Sequence, residues 1–199
     1  MPNKPELDVW DSCCLIGVLN GEKDKVPALL AQMPKYESGD AVLGVPNGVI
    51  SEVVTLADGS SAAEPLKRFL ANSYIQTLTP TVEVSILSGQ LQHRFNSKRM
   101  PDLKTKAIAA GCSKDQAVRL RSKDADILAT AMHYKAARLT TYDPFLHFLG
   151  QEFITKETGL VIDIPQTSFL PLDFPTQMGA GASTVSSVEE HHGRKFRKE

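Results

Sequence analysis

Cysteine is scarce in this chain, which holds only Cys13, Cys14 and Cys112. An odd count with two neighbours gives no disulfide framework, and no CxxC pair or Cys/His cluster falls at zinc spacing. All three are expected as small core or loop residues in a reducing cytoplasm. Long apolar runs are missing as well. None approaches the ~20 residues that a helical membrane span needs, so no membrane partner is expected. A signal peptide is not expected either, because Glu6, Asp8 and Asp11 interrupt the hydrophobic region it would need. Nor is there an excess of one charge: 22 Lys and Arg face 23 Asp and Glu. The chain as a whole therefore lacks the basic field typical of nucleic-acid binders.

What is present suits one sizeable domain, since 199 residues with 42% hydrophobic side chains can bury a substantial core. Residues 1–5 are polar and proline-containing and are expected to fray. Residues 176–199 are rich in small residues, end in HHGRKFRKE and show no apolar period, so a disordered basic tail is expected. The domain proper is assigned to residues 6–170. Within it the bases gather locally: Lys98, Arg99, Lys104, Lys106, Lys114, Arg119, Arg121 and Lys123 fall in one stretch. That stretch is either a phosphate track or a solvated face. Arg94, Lys98 and Arg99 are its candidate RNA contacts.

Between the two ends, strand and helix patterns alternate. Strands are predicted at 7–10, 41–45, 74–78, 138–142 and 160–164. Helices are predicted at 13–19, 26–33 (closed by Pro34), 49–56, 62–71, 81–95, 125–135 and 144–156, with Thr79 or Thr81 capping the fifth. Partly helical pieces are expected near Ala107 and at 116–120. This alternation predicts a three-layer α/β/α fold around a mainly parallel sheet, with the first strand and the 138–142 strand central.

Sites in open parallel sheets form beyond the carboxyl ends of strands. Asp11 follows the first strand and Asp143 follows the fourth. Glu52 lies early in the helix after the second strand, and Asp124 opens the helix that leads into the fourth. All four acids are therefore directed to one sheet edge. Four carboxylates there could hold Mg²⁺ or Mn²⁺, hard cations that prefer oxygen and activate water for phosphodiester cleavage. Each acid also has an ordinary reading. Asp11 and Asp143 could simply cap helices, Glu52 could be solvated, and Asp124 and Asp126 could complement a helix dipole. None of these readings explains the convergence. Thr141, two residues before Asp143, could orient a carboxylate or merely favour a strand, and Ser12 could touch a bound water or merely open a helix. By helix rotation, Asp124 shares the apolar stripe of Ile127, Leu128 and Ala131, while Asp126 is expected on the more exposed face.

Four segments resemble the PIN-domain family: LDVWDSCCLIGVL at 7–19, VPNGVISEVV at 45–54, KDADILATA at 123–131 and LTTYD at 139–143. The resemblance spans roughly residues 6–165. It implies an endoribonuclease dependent on Mg²⁺ or Mn²⁺, with Asp11, Glu52, Asp124 and Asp143 as catalytic metal ligands. Many members are VapC-type toxins, which implies RNA as substrate, a protein antitoxin as partner and a homodimer as assembly. A flap- or DNA-directed nuclease of related fold, or a non-catalytic RNA- or protein-binding domain, are the alternatives. Cys13 departs from the family, which usually has Ser or Asn there, so a polar contact beside Asp11 is expected to be lost.

Overall fold

A computed structural model describes residues 4–56, 60–97, 100 and 102–166. The first half alternates β1 (Glu6–Trp10), α1 (Ser12–Leu19), α2 (Val26–Leu30), α3 (Met33–Glu37), β2 (Ala41–Pro46), α4 (Asn47–Leu56), α5 (Ser60–Leu70) and β3 (Ile75–Leu78). The second half holds α6 (Val82–Asn96), α7 (Leu103–Ala109), a 3₁₀ turn at Gln116–Val118, α8 (Ser122–His133) and β4 (Arg138–Thr140). It ends with α9 (Pro144–Leu149), a π turn at Gly150–Ile154, α10 (Thr155–Thr158) and β5 (Val161–Asp163). The tail expected at 176–199 lies outside the described residues. None of the helices described is long and apolar enough to cross a membrane.

The five strands form one sheet in the order β3-β2-β1-β4-β5, and every pairing is parallel. Consecutive β1 residues Val9 and Trp10, whose side chains point to opposite faces, are both fully buried. Leu43, Val45, Leu139 and Ile162 are fully buried too, so helices cover both faces and the fold is the three-layer α/β/α sandwich. Gly44 makes room in β2 for its neighbours, because a Cβ there would stand 2.8 Å from Leu78 Cδ1 and that side chain would have to shift. The chain lays β2 and β3 on one side of β1, then crosses back to lay β4 and β5 on the other. Strand order therefore reverses between β1 and β4, and the crevice beyond their carboxyl ends is where such sheets bind ligands.

Four local expectations are settled by the fold, three of them as corrections. Pro34 does not close a helix at 26–33. It sits in the first turn of α3, as Pro27 does in α2, where a missing N–H costs nothing. The fourth strand stops at Thr140 rather than 142, although Thr141 N still donates to Asp163 O at 3.0 Å. The helix expected at 144–156 widens into a π turn at Gly150. A Cβ at that position would meet Ile162 Cβ at 2.5 Å, so only glycine lets the backbone lie this close to β5. Of the two threonines offered as caps for α6, Thr81 is the one, its side chain accepting from Val84 N at 3.3 Å.

Candidate functional site

The reversal point brings Asp11 and Asp143 together from adjacent strands. Asp11 leaves β1 in extended conformation and caps α1, and its Oδ1 accepts from Ser12 N at 2.6 Å and Ser12 Oγ at 3.2 Å. Its Oδ2 accepts from the fully buried Thr141 hydroxyl at 2.7 Å. Asp143 caps α9, its Oδ1 accepting from Phe145 N at 2.7 Å and Leu146 N at 3.0 Å. The same Thr141 Oγ1 accepts from Asp143 N at 2.9 Å. One hydroxyl thus ties the carboxylate of Asp11 to the backbone of Asp143.

Cys13 reverses an expectation. Its thiol donates to Asp11 Oδ2 at 3.1 Å and accepts from Tyr142 N at 3.1 Å, so the polar contact beside Asp11 is kept with sulfur in place of oxygen. Burial raises the Asp11 carboxyl above its ordinary range, while hydrogen bonds from Thr141, Cys13 and Ser12 pull it back.

Asp124, half-buried in the first turn of α8, has its carboxyl pushed up to about 7. Desolvation is the largest cause. The charges of Asp143, Asp11 and Glu52 add to it, and Arg121 opposes them. Glu52 is paired with Lys123 Nζ at 3.3 Å. The other three acids named from the sequence therefore all act electrostatically on Asp124. Asp126 is exposed, as helix rotation predicts, but it is not free: Ser88 Oγ donates to its Oδ1 at 2.5 Å.

The donor set is all carboxylate, which is the chemistry a hard divalent cation takes. Among the described residues, no three His, Cys, Asp or Glu side chains close into a ready-made coordination shell. The acids crowd Asp124 with negative charge that Arg121 offsets only in part.

The candidate RNA contacts are less concentrated. Arg94 forms a bidentate pair with Glu157, with N–O distances of 2.6 and 2.5 Å, so its charge is already matched. Lys98 and Arg99 lie outside the described residues. Lys104, Lys106, Lys114 and Arg119 are exposed. Two partners are not foreseen from the sequence, Lys123 for Glu52 and Cys13 as a donor to Asp11. Both sit inside the family-like segments, one residue before Asp124 and two after Asp11, where adjacency to a candidate ligand is the available signal.

No family model and no curated protein matches the chain. Solved structures do. A chain of VapBC2 from Rickettsia felis, bound to a DNA fragment from their promoter, matches with a TM-score of 0.50 and 12% identity, covering 79% of this chain and 98% of that one. A chain of FitAB bound to an IR36 DNA fragment matches at 12% identity and a TM-score of 0.45, covering 79% and 94%. At such identity the VapBC2 likeness concerns the arrangement of strands and helices alone.

Proposed function

We propose that the chain is an endoribonuclease that hydrolyses RNA phosphodiester bonds with Mg²⁺ or Mn²⁺. One observation carries this reading: the buried Thr141 hydroxyl joins Asp11 to Asp143 where the strand order reverses, and Asp124 feels the charge of both acids. Asp11, Glu52, Asp124 and Asp143 would hold the cation, Asp143 through the oxygen that helix capping leaves over. When bound, the ion supplies the Lewis acidity and water activation that phosphodiester hydrolysis needs. The rest falls to the chain itself. Thr141, Ser12 and Cys13 fix both oxygens of Asp11, so its carboxylate cannot turn away. Asp124, whose carboxyl is pushed up to about 7, would bind a cation as the deprotonated carboxylate. Exposed Lys104, Lys106, Lys114 and Arg119 would meet the phosphates of the strand.

The segments at 7–19, 45–54, 123–131 and 139–143 resemble VapC-type toxins, and a chain of a VapBC2 complex has a similar fold. Together these support a toxin that works with a protein antitoxin as its partner. The test is cleavage of a labelled RNA by the full chain with Mn²⁺, with excess chelator, and as Asp11→Asn. Cleavage is expected only in the first case, with melting curves showing the variant still folded. Cleavage that persists in chelator refutes the assignment.

A further inference from the structure

A cavity of about 150 Å³ is lined by one of the four acids, Glu52, and otherwise by residues that the acid cluster does not use. Its floor is apolar and buried, formed by Leu78, Val84 and Ile127, and Pro46 and Pro80 also line it. Engineered apolar cavities of this volume accept a single six-membered ring. Charged side chains line it too. Lys123 carries the ion pair to Glu52, so the cavity is continuous with the acid site. Asp126 lines it as well, and its carboxylate is held by the buried Ser88 hydroxyl through Oδ1 alone. Oδ2 has no hydrogen-bond partner among the described residues, so a fixed acceptor remains available for a ligand.

We infer that this cavity is a base subsite that seats one unstacked cytosine of the RNA strand next to the bond to be cut, an inference that rests on the nuclease reading above. The apolar floor and the prolines take the ring, and Asp126 accepts from the exocyclic N4 amino group. Uracil fills the same volume but presents a carbonyl oxygen at that position, which faces the carboxylate with its own lone pairs. Purines exceed the one-ring volume. Lys123 and its ion-pair partner Glu52 both line the cavity, and the Lys123 ammonium would meet the phosphate attached to the seated nucleotide.

The test separates the subsite from the nuclease reading by using neutral probes without metal. Cytidine and uridine are titrated into the metal-free full chain and followed by NMR. Cytidine is expected to bind on the order of ten-fold tighter, the worth of one hydrogen bond to a charged group. In Asp126→Asn the preference should fall towards one. In Gly48→Phe, at a lining position where an added Cβ meets nothing within 4 Å, cytidine binding should weaken. Equal binding of the two nucleosides by the wild type, or a preference unchanged in Asp126→Asn, overturns the subsite. A chain that prefers cytidine yet cleaves no RNA refutes the nuclease and supports the subsite. One that cleaves with chelator sensitivity but shows no preference does the reverse.

Discussion

Replacing Asp124 with asparagine should stabilise the metal-free protein, and only above a defined pH. An Asp carboxyl ordinarily titrates near 3.8, and in the fold this one titrates near 7. Between those values the native state binds a proton that the unfolded state has already released. The group's contribution to stability therefore falls as pH rises from about 4 to about 7, then stays flat. At about 1.4 kcal/mol per pH unit the ionised carboxylate costs the fold on the order of 4 kcal/mol. Solvent screening at a half-open site reduces this to about 2 kcal/mol. The neutral amide introduced by Asp124→Asn would carry no such cost. In chelator at pH 8, the variant should melt about 4–8 °C above wild type, given about 2–4 °C per kcal/mol at this size. Below pH 4, where both side chains are neutral, the two should coincide. Mn²⁺ should raise the wild-type melting temperature more than the variant's, because a lost ligand weakens binding to the native state. A variant that is no more stable at pH 8, or whose advantage does not change with pH, refutes the claim that crowding and burial strain this carboxyl.

Two further outcomes follow from the same geometry. Thr141→Val preserves shape but removes the hydroxyl that serves Asp11 and Asp143, so stability should fall by about 2 kcal/mol. RNA cleavage should fall roughly ten- to hundred-fold, as losing a partner that orients a metal ligand does. Both are read on one preparation, from urea melts and single-turnover rates, and an unchanged rate would detach Thr141 from the site. Charge reversal at Lys98 and Arg99 should weaken RNA binding for every sequence alike and lower the salt slope by about one per lost contact. An unchanged slope in a filter-binding titration would make the basic stretch a solvated face.

The order of elements and the edge at which the acids gather were legible because both rest on local pattern. The apolar run at 7–10, the Pro46-Asn47-Gly48 segment and the LTTYD segment each mark a strand end within a few residues. Side-chain partners were not legible in the same way. Arg94 is neutralised by Glu157, 63 residues away, and Ser88 reaches Asp126 across 38. Such pairs are set by how α6 packs against α8 and α10, and no periodicity encodes them. The π turn was equally hidden. It begins at Gly150, whose closeness to Ile162 on a neighbouring strand is a tertiary fact, while the sequence at 144–156 reads as an unbroken helix.

Asp11 and Asp143 show why position alone could not separate the ordinary reading of these acids from the functional one. Both are helix caps, and both stand at the proposed site. A carboxylate has two oxygens, and capping a helix occupies one of them. Asp143 gives Oδ1 to the first turn of α9 and keeps Oδ2 in reserve, while Asp11 gives Oδ1 to Ser12 and turns Oδ2 towards Thr141. Capping therefore does not compete with a site role. It fixes the orientation of the second oxygen, and it does so on the helix that begins where the strand ends. In a parallel sheet that junction is also where the strand order opens a crevice. A cap that is serine or asparagine would satisfy the helix equally well but would bring no full negative charge. The informative feature of the sequence is thus the acid at two adjacent strand ends, together with a third acid, Asp124, whose charge both of them raise in cost.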